Sequence, residues 1–187
     1  MNRLNQFIER HISGKKVLSL FIITNVIYVF MLTITIPRTM AFSDGMKLLD
    51  MMPMGYDLNY VSELFNALGE IGRDTYLTKQ IPVDMFYPLL FGLSYCLLLG
   101  YFLKKLNKLK TPYSFLCLLP IIAGIADYFE NFGIVAMLST FPDVTNILVS
   151  ATNVFTIIKS VSTTLFFITL IIVLVTLGFS TIKRKNK

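Results

Sequence analysis

The sequence predicts an all-α membrane protein: a four-transmembrane-helix bundle with a helical extracytoplasmic cap between helices 1 and 2, residues 1–187 forming one integral membrane domain. Three observations predict it. The chain is 55% hydrophobic, with a mean hydropathy of +0.67. Four apolar runs have the length of a span, at about 17–36, 85–103, 113–138 and 155–182. Twelve of the seventeen basic residues fall in three short segments: Arg3, Arg10, Lys15 and Lys16; Lys104, Lys105, Lys108 and Lys110; and Lys183, Arg184, Lys185 and Lys187. The positive-inside rule puts these segments, and with them both termini, in the cytoplasm. Residues 38–84, with seven acidic and four basic residues, then lie outside, as does the link 139–143. A plasma membrane is the expected location.

The first span, from about Val17 to Ile36, follows a basic amphipathic start. It is longer than the roughly 7–15 residues of a secretory apolar core. It therefore reads as an uncleaved anchor rather than a leader cut after Thr39-Met40-Ala41. In the outer segment 38–84, Leu58, Val61, Leu64, Phe65, Leu68 and Ile71 recur at helical spacing. Asp57 is placed to cap that helix, and Gly69 and Gly72 to break or bend it before Arg73. Ser43-Asp44 is placed to start a shorter helix ending near Pro53. Such a segment lies flat on the outer end of the bundle, as a cap or as a lid over a pocket.

The second span opens at Met85, with Asp84 after Pro82 placed as its N-cap. The third, Tyr113 to Leu138, holds Pro120, which can kink a helix by freeing a carbonyl. The fourth helix starts near Asp143 and ends near Ile182, too long for a simple span, so its first turns are expected to project outward or tilt. Cys96 and Cys117 both fall in spans and read as small buried hydrophobes.

The third span carries the main chemical signal, Asp127-Tyr128-Phe129-Glu130-Asn131. Asp127, Glu130 and Asn131 stand at i, i+3 and i+4 and share a helix face. Two ionised, unpaired carboxylates at membrane depth cost roughly 5–7 kcal/mol, about what the Leu, Ile, Phe and Val of the span return. Such a helix needs partners, a watery cavity or protonated acids. Thr152, Thr156, Lys159 and Thr163 form a polar stripe on the fourth helix, flanked by Asn153, Ser160 and Thr164. Lys159 either snorkels to the outer interface or turns inward. One geometry unites these residues: a bundle with an apolar inner half and a polar pocket in its outer half. There Asp127 or Glu130 pairs with Lys159 or Arg73. Asp127 and Glu130 are the candidate acid and base; Asn131, Lys159, Arg73 and Asp84 are the candidate ligand-binding residues. The competing account is a structural ion pair that fixes helix register.

Other chemistries lack their residues. His11 is the sole histidine and lies in the cytoplasmic start, which excludes a Ser-His-Asp hydrolase or a His-ligated metal at the outer site. No CxxC, phosphate-binding glycine loop or inverted repeat occurs. No metal or cofactor is expected, and the clustered lysines suit anionic lipid headgroups better than nucleic acid. The layout of four spans, cytosolic termini and membrane-embedded acids is similar to the EXPERA group of sterol isomerases and sigma-2-type ligand-binding proteins. The resemblance is one of topology, without a shared motif, and carries no residue role.

Three functions are compatible with this pattern. The first is an outward-facing polar pocket that binds or processes a lipid or small amphipathic ligand by carboxylate chemistry. The second is an accessory or assembly subunit whose polar cluster contacts the helices of a membrane protein partner. The third is an oligomeric ion or proton pathway, which the apolar inner half disfavours.

Overall fold

A computed structural model of the chain describes residues 3–110 and 112–185. Thr111 and Lys187, and the side chains of Arg3, Arg184 and Lys185, lie outside the described residues. The described residues are all-helical, without strand. The helices are α1 (Arg3–His11), α2 (Gly14–Phe30), α3 (Ile36–Met40), α4 (Leu58–Thr75), α5 (Ile81–Asp84), α6 (Tyr87–Lys105), α7 (Leu119–Thr140) and α8 (Asn146–Lys185). Four stretches among them are long and apolar enough to cross a membrane: Gly14–Met40, Leu58–Lys105, Tyr113–Thr140 and Asn146–Lys183.

Ser13 caps α2, its hydroxyl accepting from the Lys16 amide. The helix runs through a π-helical turn, Met31–Thr35, into α3. The cause is Pro37, which has no N–H to give and crowds the carbonyl four residues back. The same device recurs ahead of Pro82, where the π-helical turn Tyr76–Gln80 leads into α5. The two widened turns meet, and Thr35 donates its hydroxyl to Gln80 Oε1.

Residues 38–84, the outer segment expected from the sequence, are only partly regular. Asp57 caps α4 as its spacing predicts, accepting from the Tyr60 amide at 2.8 Å. Val61, Leu64, Phe65 and Leu68 are buried, but Ile71 is 70% exposed. Gly69 takes φ +60°, a conformation open chiefly to glycine, and the kink there rotates the apolar stripe off its course. No helix starts at Ser43-Asp44: Asp44 and Gly45 form a positive-φ turn, and only Leu49–Met51 coils, as a short 3₁₀ turn.

Asp84 does not cap the second span. It ends α5, while α6 starts later at Tyr87 with Pro88 in its first turn. Pro120 does not kink the third span either. Residues Tyr113–Leu118 form a 3₁₀ turn, and α7 begins at Leu119 with Pro120 in its first turn. Helix α8 is continuous for 40 residues, about 60 Å at 1.5 Å per residue. In its first turns, Val149 is buried against residues of the 48–81 stretch.

The helices pack in the order α2–α6–α7–α8. Two apolar cores result. One joins Ile8, Val17, Phe91, Leu99, Cys117 and Phe166; the other joins Met31, Leu49, Phe65, Ile134, Met137 and Val149. On α7, Ala123 belongs to the first core and Ile134 to the second, so Asp127, Glu130 and Asn131 fall between them. The polar band thus has an apolar layer on either side, and the second layer is largely supplied by residues 48–81.

Candidate functional site

The i, i+3, i+4 spacing brings Asp127, Glu130 and Asn131 onto the buried face of α7, and α8 presents Thr152, Thr156 and Lys159 opposite them. The two helices approach closely because Gly133 leaves room for the Thr152 side chain, which a Cβ would strike. Lys159 does not snorkel outward. Its ammonium lies 3.1 Å from Asp127 Oδ1 and pairs with Glu130 Oε2 as well. Thr156, one turn earlier, donates its hydroxyl to Glu130 Oε1 at 2.8 Å. Glu130 is fully buried with both oxygens held, Asp127 is buried, and Lys159 is half-buried.

Asp84 is buried beside this group, within electrostatic reach of Asp127 and Lys159 and facing Asn131. The fully buried Asn131 carboxamide completes no hydrogen bond of ordinary geometry with a described residue. Arg73 is elsewhere. Its guanidinium donates to the Phe65 carbonyl at 2.7 Å and lies 4.8 Å from the Phe141 ring centroid. The kink at Gly69 carries it there, and it pairs with neither carboxylate. Of the six residues singled out from the sequence, five converge and Arg73 does not.

Two site residues lie in the part of the outer segment that has no period. Asp50 accepts from the Tyr76 hydroxyl at 2.6 Å and from Gln80 Nε2 at 3.4 Å. Tyr56 is buried against α8, where Asn153 clamps its backbone: the side-chain oxygen accepts from Tyr56 N at 3.0 Å, and the amide group donates to Tyr56 O. Burial, reinforced by the nearby Glu130 carboxylate, pushes the Tyr56 phenol above its ordinary range. The one sequence sign of Asp50 was its setting, a single acid inside Leu48-Leu49-Asp50-Met51-Met52.

A cavity of about 730 Å³ adjoins these groups. Its polar wall is formed by Asp50, Asp84, Asp127, Thr156 and Lys159, and its apolar wall includes Met31, Tyr87, Phe91, Tyr95 and Ala123. Glu130 and Asn131 stand behind the lining. Asp127 is therefore the Lys159-paired carboxylate that a molecule in the cavity would meet. Asp84, Asp127 and Glu130 lie within electrostatic reach of the one ammonium, and Asp50 shares the cavity wall, so acids outnumber bases here. That balance favours a guest that brings hydrogen-bond donors or positive charge, and disfavours an anion. The volume suits a small molecule.

The chain matches no protein-family model, and neither a curated protein nor a solved structure shows significant similarity to it.

Proposed function

We propose that this chain is a multi-pass plasma-membrane protein, with both termini in the cytoplasm and residues 38–84 outside, that binds the head of a lipid or small amphipathic molecule. The observation that carries the reading is the two-faced cavity. Carboxylates and one lysine line one wall, and aromatic and aliphatic side chains line the other. An amphiphile satisfies both walls at once, whereas a purely polar solute would leave the apolar wall against water.

Asp127 meets the head group. It accepts a hydrogen bond from a donor there and is placed to exchange a proton with it. Lys159 holds Asp127 and Glu130 in place, and Glu130 and Thr156 hold Lys159. The basic segments lie at the end where α6 finishes and α7 starts, and the polar band lies toward the other end, which supports the assigned orientation.

The experiment compares dodecylamine with dodecyl sulfate, matched in chain and opposite in head charge, by calorimetry on the detergent-purified protein. The amine is expected to bind wild type, to bind Asp127→Asn much more weakly, and to outcompete the sulfate. Equal binding of the two heads, unaffected by Asp127→Asn, would remove the carboxylate wall from the account.

A further inference from the structure

Each side of the cavity has a different closure. Between α6 and α7 the backbones touch: a Cβ on Gly124 would stand 2.5 Å from the Pro88 carbonyl oxygen. Between α7 and α8 the Lys159 pairs and the Gly133–Thr152 contact leave no gap. Between α2 and α6, Thr24 donates to the Leu90 carbonyl at 3.3 Å, Tyr95 donates to Asn25 Oδ1 at 3.3 Å, and the Tyr28 and Tyr87 rings stack at 5.4 Å.

Hydrogen-bonded or ring-packed side chains stand at both ends. Asp50, Met51 and Pro53 line one end, held through the bonds of Asp50 to Tyr76 and Gln80. At the other end the rings of Phe91, Tyr95 and Phe166 pack together, with centroids 4.7 Å apart for Phe91–Tyr95 and 5.4 Å for Tyr95–Phe166.

The remaining side lies between α2 and α8. Among the described residues, no hydrogen bond, ion pair or ring contact joins these two helices, although both line the cavity. The lining residues on this side are Tyr28 of α2, Leu32 of the π-helical turn that continues it, and Thr164 and Phe167 of α8, all exposed at the surface. The surrounding surface is apolar, with Val29, Ile168 and Ile171 exposed nearby. A bilayer covers such a surface, and water does not.

We propose that the α2–α8 gap is a lateral portal, through which the amphiphile of the preceding reading enters head first from the bilayer and leaves its chain between Leu32 and Phe167. The inference rests on that reading for its guest, and adds the route and the membrane origin of the ligand. A ligand arriving this way keeps its chain out of water throughout. Thr163 and Thr164 offer hydroxyls to the head on its way in, and Ser160 lies one turn closer to Lys159.

The chain has no tryptophan, so a single introduced one reports its own surroundings. Phe91→Trp places that reporter on the inner wall, at a residue only 6% exposed. The protein is reconstituted in phosphatidylcholine vesicles whose acyl chains carry bromine at mid-chain, and separately titrated with aqueous acrylamide. The portal predicts that brominated chains quench most of the emission, and that adding Thr163→Phe to narrow the passage restores it.

Quenching by acrylamide alone would mean entry from water and would overturn the portal. Quenching by neither would mean a sealed cavity and would overturn it too. Bromine quenching that Thr163→Phe leaves unchanged would place the opening elsewhere. If Phe91→Trp does not fold, Tyr95→Trp lines the same wall and gives the same readout. Retained dodecylamine binding without bromine quenching would remove the route and leave the head-group site standing.

Discussion

The Lys159 ammonium lies 3.1 Å from the Asp127 carboxylate, and through its second pair with Glu130 it ties two acids of α7 to one base of α8. Both acids are buried, and no other cation is paired with them among the described residues. Removing one partner from a buried ionic cluster leaves charge uncompensated, which costs about 3–5 kcal/mol. Lys159→Met is therefore expected to destabilise the protein by about that amount. Adding Glu130→Gln to Lys159→Met should recover part of the loss, because one stranded charge is then gone. Denaturant unfolding of the single and double variants in detergent checks this, and simple additivity would contradict it.

Helix spacing around the site can be tested at glycine. Gly124→Ala must push its new methyl against the Pro88 carbonyl. Overpacking of this kind costs about 1–3 kcal/mol. Gly178 has nothing within 4 Å of an added Cβ, so Gly178→Ala is expected to be neutral or slightly stabilising. Thermal unfolding of the two variants side by side separates close approach from helix propensity.

Much of this arrangement was legible in the sequence. Run length marked the four apolar helices, because a span must be long and apolar whatever it packs against. The i, i+3, i+4 rule placed Asp127, Glu130 and Asn131 on one face, and the Thr152–Thr156–Lys159 stripe was the matching face of α8. What was not legible depended on backbone detours. Asp84 read as a cap because it follows Pro82, but Pro88 sets a second helix start beyond it and leaves Asp84 pointing inward. Arg73 read as a partner for the acids by charge alone, and the positive φ of Gly69 took it to Phe65 and Phe141 instead. Asp50 and Tyr56 sit in a stretch without a period, where only tertiary packing decides which side chains face the site.

The hold of α8 on the outer segment is concentrated in Asn153, whose amide group both accepts from and donates to the backbone of Tyr56. Asn153→Ala removes both bonds and leaves two backbone groups without partners. The expected loss is about 1–3 kcal/mol, felt locally. Amide hydrogen exchange should rise in residues 50–58 while the cores around Leu99 and Phe65 stay protected. Unchanged exchange in that stretch would mean that other contacts hold it.

Orientation is tested by labelling. Met54 is 90% exposed at the end opposite the basic segments, and Lys108 is exposed in the α6–α7 link. Cys96 and Cys117 are buried, which keeps the background low. In intact cells, Met54→Cys is expected to react with a membrane-impermeant maleimide, and Lys108→Cys only after permeabilisation. The reverse pattern would invert the assigned topology.

The cavity beside Asp127 is proposed to hold an amphipathic guest. Native mass spectrometry of the protein, extracted gently from its own membrane, tests it most directly. Wild type is expected to carry a defined bound mass that is lost or sharply reduced in a folded Asp127→Asn variant. A bare polypeptide in both, or the same adduct retained equally by both, would contradict it.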